Sequence, residues 1–200
     1  MTDSRFEAAI AAIDAANADD PNVLVVDGVE RPKEQAHAEL MTEWVRRLDA
    51  SATDEQLLAA RAHHLRRWAL PRADYPEGRA GYLRWRTDLS KRHAAEVGEI
   101  LVAHGYGDDQ IARVQQIIRK QGLATDPAVQ AHEDALCLVF LDTQLDATIE
   151  RLGRDKVVDV VAKTVKKMSP HGIDAAGALA LSDIGASVLA DAVAVATSAE

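Results

Sequence analysis

The sequence is poor in cysteine and in aromatic residues, and each shortage excludes a class of protein. Its 200 residues include one cysteine, so neither a disulfide framework nor a zinc site made of cysteines can form within the chain. Phe, Trp and Tyr make up 4% of the residues, whereas Ala, Leu and Val are abundant, and this composition favours helices over strands. An apolar fraction of 48% is enough for a packed core, which excludes global disorder.

Signals for export and for membrane insertion are also missing. The N-terminal segment MTDSRFEAAI has no apolar run behind a basic flank, as a secretory signal would. The long apolar stretch 173–198 contains Asp174, Asp183 and Asp191, which are too many charges for a membrane span. We therefore expect a cytoplasmic protein that does not associate with membranes.

Charge is unevenly distributed along the chain. The net charge of −9 repels nucleic acids and anionic membranes, so nucleic acid is not an expected partner. The segment 61–93 nevertheless has a net charge of +6, and clustered guanidinium groups favour a small anionic substrate with a phosphate or a carboxylate. An alternative is a solvated helix face with internal salt bridges. The predicted substrate-binding residues are Arg61, Arg67, Arg72, Arg84 and Arg86.

Apolar periodicity and capping signals predict an all-α protein. One β-like stretch, VLVVDGV at 23–29, predicts a small hairpin that turns at Asp27-Gly28. No repeat or linker divides the chain, so we predict a single helical-bundle domain over 1–200, with 155–200 as an optional C-terminal helical appendage. The Ala-rich tail 173–198 either covers the bundle or forms a homodimer face. The predicted helices span 5–17, 33–49, 53–69, 80–104, 109–121, 126–152 and 155–168, with one or two more in the tail.

Titratable residues interrupt several apolar helix faces. His64 and His93 lie on stripes otherwise filled by Leu, Trp, Val and Ile, and a desolvated imidazole needs a polar partner. Glu133 and Asp134 interrupt the apolar run from Val129 to Phe140, where an inward carboxylate is costly unless it is paired or binds a cation. Inward His and Asp side chains on separate helices are typical of a metal site in a helical bundle.

Two metal-free explanations stay open for these residues. A buried histidine often hydrogen-bonds a backbone carbonyl, and buried Arg61–Glu133 or Arg67–Asp134 ion pairs would account for the carboxylates. The remaining residues of this kind have simpler interpretations. We expect His104 and His132 on the surface near helix turns, and Cys137 as a small core residue.

The segments RAHHLRRWALPRADYPEGRAGYLRWRTDL, KRHAAEVGEIL and HEDALCLVFL resemble a family known as a domain of unknown function, DUF4202. The resemblance covers nearly the whole chain, from FEAAIAAIDAANADDPN to VAKTVKKMSP. It implies no activity, because none is established for the family. More weakly, the layout resembles the HD superfamily of metal-dependent helical enzymes. Those proteins place a His on one helix, a His-Asp pair on a second and a distant Asp on a later helix.

The HD resemblance implies an HD-like fold and a set of metal ligands. His37 precedes the pair His63-His64 by 26 residues, and Asp134 follows His64 by 70. His64 stands where the pair has its Asp, and this exchange lowers the ligand charge and favours Fe, Mn, Zn or Ni over Mg²⁺. His93 corresponds to an extra histidine that some HD enzymes use for a second metal. The implied metal ligands are His37, His64, His93 and Asp134.

The leading functional hypothesis is an HD-like phosphohydrolase that acts on a small phosphorylated or carboxylated substrate. Glu133 and His63 are the predicted catalytic residues, with Glu133 as a ligand, as an orienting group or as a general base. A divalent metal would polarise the phosphoryl group and lower the pKa of a bound water. Two alternatives remain: an HD-like di-iron oxygenase of a small molecule, and a metal-free module that binds an anion or a nucleotide.

Overall fold

Local sequence signals set most of the helix boundaries. The computed structural model describes residues 4–26 and 28–198, which are mainly helical, so the predicted all-α class is confirmed. Between α3 and α4 the chain makes short 3₁₀ turns at Arg67–Ala69 and Arg72–Asp74. The helices and strands are α1 (Ser4–Asn17), β1 (Val23–Val26), β2 (Val29–Pro32), α2 (Lys33–Leu48), α3 (Asp54–Arg61), α4 (Gly78–Ala103), α5 (Asp108–Ile118), α6 (Pro127–Leu152), α7 (Arg154–Val165), α8 (Pro170–Gly177) and α9 (Asp183–Thr197).

The predicted hairpin forms, and it leads directly into a helix. Strands β1 and β2 pair antiparallel, with Val23 opposite Pro32 and Val26 opposite Val29. Gly28 has φ of 77°, in the region that favours glycine, whereas Asp27 lies outside the described residues. Pro32 immediately precedes α2. The Asp20 carboxylate accepts a hydrogen bond of 2.9 Å from the backbone N–H of Glu34, which satisfies one free donor of the first turn.

The chain divides into two compact units, one of the described residues up to His132 and one from Glu133 onwards. In the first unit α2 and α5 pack against α3, α4 packs against α5, and α1 contacts α2, α3 and α4. Its core includes the fully buried residues Ile13, Met41, Leu58, Leu65, Leu89, Leu101 and Ile117. In the second unit α7 packs against α9, and Val161 and Val188 are fully buried. No helix among the described residues is long and apolar enough to cross a bilayer.

The predicted helix over 53–69 is wrong in its second half. It starts as expected, with a capping box between Thr53 and Gln56, but it ends at Arg61. Arg66 takes a left-handed conformation with φ of 47°, and its N–H donates to the buried side chain of Asn17 at 3.0 Å. This contact ties the turn that follows α3 to α1. His63 and His64, which a helix would turn about 100° apart, therefore lie in a turn.

Two helices bury a face other than the one with most of their large apolar residues. On α4, Tyr82 is 42% exposed. On α2, Leu40, Trp44 and Leu48 are only half-buried, whereas His37, Met41 and Val45 are buried. The buried face of α2 is therefore not the face that carries Leu40, Trp44 and Leu48. It is the face that carries Glu34 and His37.

Candidate functional site

Five histidines meet inside the first unit. We call His37, His63, His64, His93 and His132 the histidine cluster, because the centroids of neighbouring rings lie 4.3 to 6.2 Å apart. They come from α2, from the turn after α3, from α4 and from α6. Four of the five are at most 7% exposed, and the side chain of His64 is 18% exposed. The cluster unites four of the histidines that the sequence predicted at the site.

The fifth histidine corrects a prediction. His132 was expected on the surface, but it is 1% exposed, and its Nε2 lies 2.8 Å from Nδ1 of His63. It follows the fully buried Val129 by three residues, a spacing that places both side chains on one face of α6. His37 completes the packing, because its ring stacks on His64 at 4.3 Å with an interplanar angle of 12°.

The hydrogen bonds fix the tautomers of two rings. Nδ1 of His93 lies 2.8 Å from the carbonyl of Leu65, which can only accept, so the proton is on Nδ1 and Nε2 carries the lone pair. Nε2 of His64 lies 3.2 Å from Nη1 of Arg67, which can only donate, so this Nε2 also carries the lone pair. Nδ1 of His64 then donates to Glu34 Oε2 at 2.9 Å. Metal-ligating histidines are oriented in this way.

All five imidazoles are held neutral. Burial, aided by nearby positive charges such as Arg67 and Lys120, lowers the pKa of His37 and His132 to about 3. Burial also lowers the pKa of His93 to about 4, and it lowers the pKa values of His63 and His64 well below the usual range. Neutral imidazole is the form that binds a metal.

Glu34 is a site residue that the sequence analysis missed. It is 4% exposed, and burial raises its pKa to about 7 against the opposing charges of Arg67 and Lys33. Glu34 precedes His37 by three residues, and this Glu-x-x-His spacing puts both side chains on one helix face. The same spacing supplies ligands in helical-bundle metal sites. It is the sequence feature from which Glu34 could have been predicted.

The predicted arginines have different surroundings. Arg67 alone among the five hydrogen-bonds a ring of the cluster, and its Nε lies 4.0 Å from Glu34 Oε1. Arg61 instead pairs with Asp14, with its Nη2 2.7 Å from Oδ2. Arg72 donates to the carbonyls of Tyr75 and Pro76 and so holds the loop before α4. Arg84 and Arg86 lie on the exposed face of α4.

Both predicted carboxylates lie in the second unit and are buried, as expected. Oε1 of Glu133 lies 3.8 Å from Nζ of Lys167. The Asp134 carboxylate accepts from the backbone N–H of Ser169 at 2.9 Å and from the Ser169 hydroxyl. The partners considered for them from sequence, Arg61 and Arg67, pair with Asp14 and Glu34. The roles of Glu133 in catalysis and of Asp134 as a ligand stay predictions.

The donor chemistry of the cluster fits a metal ion. His37 Nε2, His93 Nε2 and His132 Nδ1 are buried with no hydrogen-bond partner among the described residues, and such atoms indicate a missing partner. No group of three or more His, Cys, Asp or Glu side chains in this part of the chain is arranged to hold a metal. Binding would therefore require rings to turn toward the ion. The cation that now faces the lone pair of His64 is the Arg67 guanidinium.

Comparison with known proteins identifies a family but no activity. The model of a domain of unknown function, DUF4202, matches residues 7–189, so the chain belongs to this family. Neither a curated protein nor a solved structure matches the chain. The weaker resemblance to HD enzymes stays a prediction.

Proposed function

We propose that this member of the DUF4202 family is a metal-dependent hydrolase of a small phosphorylated molecule, with a divalent transition metal bound by the histidine cluster. One observation carries the proposal: His64 and His93 are neutral, share a buried cluster and have Nε2 lone pairs fixed by the bonds of their Nδ1 atoms. Buried nitrogens without a hydrogen-bond partner call for one, and a metal ion would supply it to more than one ring of the cluster.

The ligands proposed from the cluster are His64, His93 and His37. The Nε2 atom of His64 carries a lone pair that faces Arg67, and the Nε2 atoms of His37 and His93 are buried with no hydrogen-bond partner among the described residues. Glu34 orients His64 through the Nδ1 hydrogen bond, as carboxylates do for metal-bound histidines. Bound Fe, Mn, Zn or Ni would polarise a phosphoryl oxygen and lower the pKa of a coordinated water.

Arg67 is the proposed holder of the substrate anion. Its side chain is 27% exposed, so it connects solvent with the cluster. Its guanidinium group stacks over Trp85 at 4.8 Å. In this orientation the N–H groups at its edge can donate to two oxygens of a phosphate. The positive segment 61–93 surrounds it in an otherwise acidic chain and would draw anions toward this side of the first unit.

Metal analysis of the purified protein tests the proposal. We expect bound Fe, Mn, Zn or Ni, and phosphate release from phosphate monoesters that stops after metal removal and returns when the metal is added back. His64→Ala and His93→Ala should each lose metal and activity, whereas His171→Ala, which changes an exposed histidine, should keep both. A wild-type protein that binds none of these metals would show that the hydrolase proposal is wrong.

The Glu34-x-x-His37 pair supports a second candidate, a di-iron oxygenase, because di-iron bundle proteins use this spacing. Iron content near two per chain with substrate-dependent oxygen uptake, and without phosphate release, would favour it. The metal-free module would instead show thermal stabilisation by phosphorylated ligands in the presence of a chelator.

A further inference from the structure

Arg67 and a metal ion would need the same lone pair. Nη1 of Arg67 lies 3.2 Å from Nε2 of His64, the nitrogen that the Glu34 hydrogen bond leaves unprotonated. A guanidinium group has no acceptor and keeps its proton in proteins. While it donates to this nitrogen, His64 cannot coordinate an ion.

We propose that Arg67 blocks the histidine cluster until an anionic substrate captures its guanidinium group, so that anion binding and metal binding strengthen each other. This inference rests on the proposed metal site. It gives Arg67 a positioning role at the site, in addition to holding the anion.

Charge as well as space makes the two cations compete. Arg67 lies beside both His64 and Glu34, with its Nη1 3.2 Å from His64 Nε2 and its Nε 4.0 Å from Glu34 Oε1. A divalent ion at His64 Nε2 would meet the positive charge of Arg67 at short range in a half-buried place, where screening by water is weak. Removing the arginine or neutralising it with an anion relieves this repulsion.

The surroundings of Arg67 favour its capture by an anion. Its backbone lies in a 3₁₀ turn, and its side chain stacks over Trp85 and stays 27% exposed. Arg86 is close enough for its positive charge to act on Arg67, and it stacks on the exposed ring of Tyr82. A phosphate near both guanidinium groups would offset their mutual repulsion.

Thermodynamic linkage makes the coupling measurable from either side. If an anion raises the affinity for metal, the metal raises the affinity for the anion by the same factor. A metal titration with and without an anion therefore detects the role of Arg67 without any measurement of turnover.

The test compares Ni²⁺ affinity, measured by calorimetry, for the wild type, Arg67→Met and Arg47→Met, each with and without phenyl phosphate. Without the anion, Arg67→Met should bind Ni²⁺ about tenfold more tightly than the wild type, and phenyl phosphate should tighten wild-type binding by about the same factor. The anion should leave Arg67→Met unchanged. Arg47→Met, which removes an arginine of α2 whose side chain is 55% exposed, should behave as the wild type does.

The outcomes separate this inference from the proposed function. Equal or weaker Ni²⁺ binding by a folded Arg67→Met would overturn the blocking role while leaving the metal site intact. An anion effect of equal size in wild type and variant would also overturn it, because the coupling would not pass through Arg67. Absence of Ni²⁺ binding in both proteins would contradict the metal site itself. Arg67→Gln, which keeps a donor but removes the charge, replaces the methionine variant if the latter unfolds.

Discussion

Two arginines six residues apart show how a side chain's role depends on its partners. Arg61 makes two hydrogen bonds to Asp14 and lies 3.8 Å from Glu39. Its charge is compensated, and its side chain is 14% exposed. Arg67 faces a neutral imidazole and a carboxylate whose pKa is raised. The first has the environment of a structural residue, and the second has that of a residue which can exchange its partner for a ligand.

Replacing Arg61 should therefore affect stability and not anion binding. Arg61→Met leaves Asp14 without its cation, and we expect the free energy of unfolding in urea to fall by about 2 kcal/mol. Arg47→Met, which breaks the exposed Arg47–Glu43 pair on α2, should change it by less than about 0.5 kcal/mol. If Arg61→Met unfolds like the wild type but loses affinity for phenyl phosphate, Arg61 is a substrate residue after all.

At the scale of elements, the first turn of α8 depends on a carboxylate from α6. Asp134 accepts hydrogen bonds from the backbone and the hydroxyl of Ser169, and Ser169 in turn caps α8 by accepting from the N–H of Gly172. A Cβ atom on Gly172 would lie 2.6 Å from Cγ of Asp134. Glycine at this position therefore lets α8 approach Asp134 closely.

The two glycines of α8 provide a matched pair of variants. Gly172→Ala should lower the free energy of unfolding by about 1–3 kcal/mol, because the new methyl group overlaps the Asp134 carboxylate. Gly177→Ala has open space around its Cβ, and it should be neutral or stabilise the helix by up to about 1 kcal/mol. Urea unfolding followed by circular dichroism compares them. Equal effects of the two variants would mean that Asp134 is not fixed against α8.

At the scale of the molecule, the histidine cluster places several ionisable groups in a dry interior. Burial lowers the pKa of each of its five imidazoles and raises that of Glu34. A group with a lowered pKa in the folded state destabilises the fold when pH drops below its unfolded value, because only the unfolded chain takes up the proton. The neighbouring charges of Arg67, Lys120 and Lys33 act in the same direction on His37.

Stability should therefore fall as pH decreases from about 6.5 toward 4. Each imidazole that is protonated only on unfolding contributes up to about 1.4 kcal/mol per pH unit. Glu34 has the opposite effect on stability. Between pH 4.5 and about 7, the range between its usual pKa and its raised pKa, it binds a proton in the folded state and not in the unfolded chain. Stability still falls, because five histidines act against this one glutamate. Urea unfolding at pH 7, 6 and 5 measures the slope.

Variants identify the groups responsible for this slope. His132→Asn removes one buried imidazole, so the number of protons bound on unfolding should fall by as much as one. His171→Asn changes an exposed position and should leave this number unchanged. A free energy of unfolding that does not change between pH 7 and 5 would mean that the five rings are not buried as neutral groups.

The sequence allowed most of the fold to be predicted, together with four of the five histidines of the cluster. Pro32 before α2, the Thr53–Gln56 capping box and Asp126-Pro127 before α6 set helix starts within a residue or two, because capping involves neighbours along the chain. The apolar stripes also showed that His64, His93, Glu133 and Asp134 sit among core residues. Glu34 was not recognised, because the face of α2 that carries it has few large apolar residues and gives a weak periodic signal. His132 was expected on the surface although it follows the buried Val129 by three residues.

Composition, capping and periodicity by themselves determined that this chain is helical, where its helices begin and that histidines and carboxylates enter its core. These properties depend on residues within a few positions of one another. Only the tertiary structure decided that the chain turns after Arg61, and the backbone of this turn is hydrogen-bonded at Arg66 to Asn17 on α1. It also decided that five rings from four parts of the chain share one place and that Arg67, not Arg61, faces them. These features depend on contacts between residues far apart in sequence, which no local sequence pattern encodes.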